Sequence, residues 1–396
     1  MRALVAFDKF KDALTASHAC EIACSVLRNQ RGSLDCQVDS APLTDGGEGF
    51  CEILTTVAKG RFEELEVEGP RGEPTEVRLG FAQADKLSSL ALKTADLPRH
   101  GEIAVIEMAA AAGLHLLSEK ERDPWEASTH GVGEMILRAN EEGAGAILLG
   151  IGGSATNDLG FGALQALGLQ FINSSGSPIE RLRPSNWNRL DRIEGHLTDL
   201  SPLRIACDVQ NPLLGTSGAT ATYGPQKGLL QQDLERAEEE LVRSARLLLE
   251  ANGADQALFD EPGAGAAGGL GFGFRTAAKA SYVSGFSLVS AWLGLEKRVE
   301  QADVVITGEG RFDFSSLRGK GPGAVAEMAA KAGKSVLILA GSVAPEAVEE
   351  LTATCPGIVV RAISRPDLSL EENLRQAPER LAKGLQEVIE AGNWNL

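Results

Sequence analysis

The sequence is short of aromatic residues, at 5%, and short of basic ones, with 38 Lys and Arg against 55 Asp and Glu. The net charge of −17 excludes nucleic acid and anionic membranes as expected partners, because a strongly acidic surface repels both. An anionic substrate would have to be held by local groups: helix N-termini, backbone amides and a few Lys and Arg. The six cysteines, Cys20, Cys24, Cys36, Cys51, Cys207 and Cys355, contain no CxxC pair. Cys20 and Cys24 stand one helical turn apart beside His18, where small core residues are a better reading than a zinc site. This usage fits a reducing cytosol. Long apolar runs are absent too. Residues 3–7 are too few for a signal-peptide core, and 103–117 contain Glu107 and fall short of a membrane helix. A soluble, cytoplasmic protein is expected.

Several catalytic signatures are missing as well. The five histidines are scattered, with no HxxxH pair, and no GxSxG elbow occurs, so zinc catalysis and triad hydrolysis lose support. No Walker A motif is present: Gly333-Lys334-Ser335 looks like its end, but Met328 stands five positions before Gly333, where the motif needs glycine. Gly263–Gly268 matches GxGxxG, yet no convincing strand precedes it and no acidic residue lies between Gly268 and Glu296 to hold a ribose. Close packing or a glycine-lined ligand wall is the better reading there.

What is present is an ordinary globular composition, 43% apolar and 23% charged, which excludes disorder. The length of 396 residues suggests two or three domains. The 45 glycines, without a collagen-like period, point to tight turns and backbone-lined sites. Apolar runs at 3–7, 103–106, 146–151, 204–207, 304–306 and 336–339 read as strands buried on both faces. Helical spacing appears at 19–26, at 234–248 with Gly253 as a stop, at 325–332 before Gly333, and at 381–389. Strands alternating with helices imply an α/β fold with mostly parallel sheet. In such sheets ligands bind at the carboxyl ends of strands, so the polar tails of these runs are expected along one functional edge.

Those tails hold the candidate chemistry. Gly152-Gly153-Ser154-Ala155-Thr156-Asn157-Asp158 follows a strand and precedes a helix-like stretch, 159–167, so its amides, Thr156 and Asn157 are candidate anion donors. A tight turn with an ordinary N-cap is the alternative. Thr44-Asp45-Gly46-Gly47-Glu48-Gly49 packs two carboxylates into a turn, read either as a solvated loop or as a metal or hydroxyl site. Asp208 and Asn211, and Glu309 and Asp313, also follow strands, where carboxylates suit Mg²⁺ or general-base work. Lys11, Lys227 and Lys320 fall in glycine-rich or strand-end loops and are candidate phosphate contacts. This inventory fits phosphoryl transfer, which needs positioning and charge neutralisation rather than a protein nucleophile.

Taken together, the motifs resemble the bacterial glycerate kinases that phosphorylate D-glycerate with ATP. The resembling blocks are Phe7-Asp8-Lys9-Phe10-Lys11 with Leu14, then residues 44–49, 106–109, 131–134, 150–158, 207–213, 224–228, 263–270, and 302–313 with Gly319-Lys320. They occur in family order. The chain departs from the family's usual residues at Phe7, Lys9, Thr44, Phe50 and Ser315. The resemblance implies two α/β domains, one flavodoxin-like and discontinuous with a parallel sheet, formed by 1–65 plus 290–396. Residues 66–289 would form an inserted second α/β domain, with the active cleft between the two. It also implies ATP and Mg²⁺ as cofactors, D-glycerate as acceptor, and transfer of the γ-phosphoryl group to the 2-hydroxyl.

On that basis Asp45, Lys11, Asp208 and Lys227 are the expected catalytic residues, with Asp45 orienting or deprotonating the hydroxyl and Asp208 and Asp313 as rivals for that role. Asp8, Gly46, Gly47, Glu48, Gly152, Gly153, Ser154, Thr156, Asn157, Asn211, Arg311 and Lys320 are the expected substrate and phosphate contacts. Asp158, Glu309 and Asp313 are the expected metal ligands. A monomer or homodimer acting on small molecules is expected. Two other readings remain: a kinase for another small hydroxy acid, motivated by Lys9 and Phe50, and a silent anion-binding protein on the same scaffold.

Overall fold

A computed structural model describes residues 1–29, 36–319 and 321–391. The chain divides into two compact units, Met1–Asp45 with Val289–Leu396, and Gly46–Leu288. We call them the terminal and middle units.

The terminal unit is built on a five-stranded sheet. Its order is Val359–Ala362, Ser335–Ala340, Val304–Gly308, Arg2–Phe7 and Gln37–Ser40, and every pairing is parallel. Numbered along the chain this is 5-4-3-1-2, the flavodoxin-like order. The sequence shows why: 3–7, 304–308 and 336–340 are buried without a break, as a parallel sheet covered on both faces requires. Two helix pairs provide that cover, Ala16–Asn29 with Ala377–Glu390 and Leu295–Gln301 with Gly321–Lys331. Leu381, Leu385 and Val388 lie on the buried stripe of the C-terminal helix and join Ala3, Val5 and Phe7 in one apolar core.

The middle unit has a six-stranded sheet, ordered Ser281–Val283, Leu203–Ala206, Ala146–Gly150, Glu102–Glu107, Pro74–Gln83 and Arg61–Glu68. The first four strands are parallel, and the last two form an antiparallel hairpin edge. That hairpin turns at the glycine- and proline-containing residues 69–72 within a charged stretch of the sequence. The polar stretch 172–202 holds most of a second hairpin, Gln170–Asn173 with Leu190–Glu194. The helix Leu234–Asn252 ends at Gly253 in the left-handed region, φ 58°, as its sequence predicts.

Two differences from the sequence reading follow. The first division falls at Asp45/Gly46, not near 65, because residues 46–65 are committed to the middle unit: the helix Phe50–Val57 packs on Pro74–Gln83 and Glu102–Glu107, and Arg61–Glu68 pairs with Pro74–Gln83. The second concerns the single functional edge. The six apolar runs are all strands, but three belong to each sheet, so their tails lie on two edges.

In the terminal unit the strand order reverses between Arg2–Phe7 and Val304–Gly308, whose last residues, Phe7 and Gly308, are register partners. A Cβ at Gly308 would lie 1.7 Å from the carbonyl oxygen of Leu339, so only glycine lets the strand end there. Gly308→Ala is expected to lower stability by about 2 kcal/mol or more, read as a lower denaturant midpoint; an unchanged midpoint would contradict this close approach.

Candidate active site

At a strand-order reversal, the connections after the two strands leave in opposite directions and open a crevice at their carboxyl ends. In the terminal unit that place is marked by Asp8 and Glu309, each directly following its strand. The two connections are tied together: Asp8 N–H donates to Gly308 O at 2.9 Å, and Gly310 N–H to Lys9 O at 3.3 Å. Asp8 also accepts from the Lys9 N–H at 2.7 Å.

Glu309 is the most perturbed carboxyl of the group. Its Oε1 is buried with no hydrogen-bond partner. Burial pushes its pKa up to about 7; a hydrogen bond from Ser316 opposes the shift, and the charges of Asp8, Asp313 and Asp45 add to it. Three expected site residues, Asp8, Asp45 and Asp313, are therefore brought within electrostatic range of a fourth, Glu309. Asp313 is held low by the Ser315 hydroxyl, which donates to its Oδ1 at 2.7 Å, and by the Ser315 amide. Arg311, largely exposed, pairs with Asp313 at 3.2 Å. Lys11 is exposed on the loop after Asp8. Lys320 lies outside the described residues. Ser316 was not foreseen: nothing in the sequence distinguishes it from Ser315, and only its buried position opposite Glu309 does so.

The middle unit holds the other cluster. Gly46 adopts φ 101°, and a Cβ there would come within 2.8 Å of Ala206 O, so the turn at Gly46-Gly47 packs directly on the neighbouring strand end. Gly46 O accepts from Gly152 N–H at 3.0 Å, which joins the two glycine-rich turns. Glu48 is exposed beside them. The loop after Ala146–Gly150 is pinned through its own backbone: Ala155 N–H donates to Ala112 O, and Gly153 O accepts from Leu114 N–H, both at 2.8 Å. Two of the amides expected to face an anion, those of Gly152 and Ala155, are thus already used.

Three more expectations change here. The helix after the loop begins at Phe161, not near residue 159, and Thr156 and Asn157 precede its first turn rather than cap it. Thr156 Oγ1 and Asn157 Oδ1 are nevertheless buried without partners, while Asn157 Nδ2 donates to Thr220 Oγ1 at 3.3 Å. Asp158, expected as a metal ligand, is fully buried and accepts from four donors: Thr129 N–H and Oγ1–H, Gly160 N–H and Gly162 N–H. It ties the starts of the helices His130–Glu141 and Phe161–Ala166 together, which is structural work. Burial pushes its pKa up, against those donors.

Lys227, expected as a phosphate contact, is only 2% exposed. Its ammonium donates to Ser154 Oγ at 2.9 Å and Thr156 O at 2.6 Å. Burial pulls its pKa down to about 7, with the Asp158 carboxylate holding it up. Asp208 is taken as well, accepting from Ser284 Oγ at 2.8 Å and Phe286 N–H at 2.7 Å. Asn211 donates to Ser217 O at 2.7 Å and accepts from Tyr223 OH at 2.8 Å, which orders its own loop. The Gly263–Gly268 stretch is close packing: a Cβ at Gly268 would sit 2.2 Å from Thr156 O. Thr129, the partner of Asp158, was missed because 29 residues separate them and no motif links them.

Among the described residues, no group of three or more His, Cys, Asp or Glu side chains is arranged to hold a metal ion. No described helix is long and apolar enough to cross a membrane.

The buried lysine sets a pH dependence of stability. Its folded pKa of about 7 lies below the ordinary 10.5, so between these values the unfolded chain binds the extra proton and stability rises with pH. Below about pH 7 the cost of burying the charge is present in full. Denaturant unfolding at pH 7 and pH 10 is expected to show this rise in the wild type and its loss in Lys227→Met. Parallel slopes in the two proteins would contradict it.

The family model described as the glycerate kinase family matches residues 3–392. A glycerate kinase from Halalkalibacterium halodurans is 34% identical over 99% of this chain and 98% of its own. The glycerate 2-kinase of Escherichia coli K12 is 38% identical over 86% of this chain and 85% of its own. The crystal structure of a protein described as a glycerate kinase 2 from Salmonella typhimurium LT2 superposes with a TM-score of 0.75 at 34% identity, covering 99% of both chains. With a matching family model over nearly its whole length and relatives at this identity and coverage, the chain belongs to the glycerate kinase family and is a phosphotransferase.

Proposed function

We propose that the protein transfers the γ-phosphoryl group of ATP to the 2-hydroxyl of D-glycerate. The observation that carries this reading is the carboxylate group around Glu309, set at the strand-order reversal where parallel sheets bind ligands. The family membership supplies the reaction class, and the E. coli relative's name supplies the 2-position.

Asp45 is the residue we assign to the acceptor hydroxyl. It closes the terminal unit's first segment and lies within electrostatic reach of Glu309. A carboxylate there accepts the hydroxyl proton's hydrogen bond and aims the oxygen at phosphorus. Asp208, its rival, is occupied by Ser284 and Phe286 and is assigned to holding its own loop. Lys11, exposed on the loop after the first strand, and Arg311, exposed on the short strand Arg311–Phe312, offset phosphate charge. In the middle unit the unpartnered Thr156 hydroxyl and the neighbouring loop amides hold an anion, either the glycerate carboxylate or a phosphate.

The donor set suits Mg²⁺. That ion commonly takes only one or two protein carboxylates, filling its remaining positions with water and substrate phosphates, so a cluster of three is not required. Glu309, whose buried Oε1 lacks a partner, and Asp313 would hold it. Bound there, Mg²⁺ would neutralise phosphate charge. The acidic surface favours small-molecule partners over nucleic acid or anionic membranes, and a cytoplasmic monomer or homodimer is part of the same proposal.

Phosphorus NMR of the purified protein with Mg-ATP and D-glycerate is expected to show 2-phosphoglycerate. A 3-phosphoglycerate signal would overturn the hydroxyl assignment, and no phosphorylated acid would overturn the substrate. Asp45→Asn is expected to lower kcat by roughly 10²–10⁴-fold with the fold intact; near-normal turnover would remove Asp45 from the mechanism.

A further inference from the structure

A fully buried lysine needs a reason. Taking an ammonium out of water costs more than two hydrogen bonds ordinarily return, and an apolar side chain of the same length would fill the space. Lys227 is buried nonetheless, and both hydrogen bonds end on one short segment, at Ser154 Oγ and Thr156 O, more than 70 residues away in sequence. That segment carries two buried polar atoms left without partners, Thr156 Oγ1 and Asn157 Oδ1. The charged group facing the ammonium is the Asp158 carboxylate, itself saturated by four donors. The ring of Tyr223 lies 6.0 Å away and offers only a weak cation–π contact. The ammonium is thus buried against the loop, where water does not screen its field and the Asp158 carboxylate opposes part of it.

We propose that Lys227 is a positioning residue for the anionic substrate: its ammonium fixes the Ser154–Thr156 segment and makes the loop electropositive, without itself touching the substrate. This rests on the reading of that loop as an anion site. It answers the difficulty posed by a net charge of −17, because a buried cation acts at short range through a low dielectric while the surface charge is screened. The anion is a carboxylate or a phosphate, and the kinetics separate the two.

The test is steady-state kinetics of Lys227→Met, with circular dichroism as the check on folding. We expect KM to rise roughly 10–100-fold for one substrate, with kcat changed less. A rise for D-glycerate identifies the carboxylate, and a rise for ATP identifies a phosphate. Both KM values within twofold of wild type, in a folded variant, would overturn the inference. A second measurement covers a variant that does not fold. In the wild type, kcat/KM for one of the two substrates should fall as pH climbs above about 7, where Lys227 loses its proton. A profile flat or rising to pH 9 for both substrates would overturn the inference. The wild-type control keeps the two levels apart. An inactive wild type overturns the kinase reading and this inference with it, whereas an active wild type beside an indifferent variant overturns this inference alone.

Discussion

The terminal unit hangs on one contact, the parallel pairing of Arg2–Phe7 with Val304–Gly308. It joins segments some 300 residues apart, and the whole middle unit is inserted between them. Besides the backbone ladder, Thr307 Oγ1 donates to Ala6 O at 2.6 Å inside the sheet. The pairing also places Asp8 beside Glu309. Burial raises the Glu309 carboxyl, the charge of Asp8 adds to the shift, and both are consequences of how this sheet closes. The glycine at the end of the strand serves the same purpose, because Leu339 O comes too near to admit a side chain.

An acidic protein that binds anionic substrates must create positive potential locally. On the reading proposed above, the middle unit would do this with the interior rather than the surface. Lys227 and Asp158 are both buried, and each is satisfied by the backbone and hydroxyls of its surroundings: the lysine by Ser154 and Thr156, the aspartate by Thr129, Gly160 and Gly162. Both sets of bonds converge on the 152–162 segment. The loop's shape is therefore set by the hydrogen bonds of two buried charged groups, each with partners of its own.

Much of this was legible in the sequence. Continuous apolar runs at 3–7, 146–150 and 304–306 announce buried parallel strands, and Gly253 announces a helix stop, because each depends on local chemistry alone. The family blocks carry the reaction class. Other features were not readable, and the reason is common to them. Whether Asp158 binds metal or caps helices depends on Thr129, and whether Lys227 meets phosphate or Ser154 depends on burial; both are facts of tertiary contact. The division at Asp45/Gly46 depends on a helix, Phe50–Val57, choosing the middle sheet. Spacing within a motif does not record which distant element will cover it.

In the function proposed above, the chemistry sits at the strand-order reversal of the terminal unit, with Glu309 at its centre. The most direct measurement is kcat of Glu309→Gln at saturating Mg-ATP and D-glycerate, on protein whose circular dichroism matches wild type. The amide keeps the shape and loses the charge. A fall in kcat of roughly 100-fold or more is predicted. Turnover within a few-fold of wild type would contradict the account and move the reacting centre away from this sheet edge.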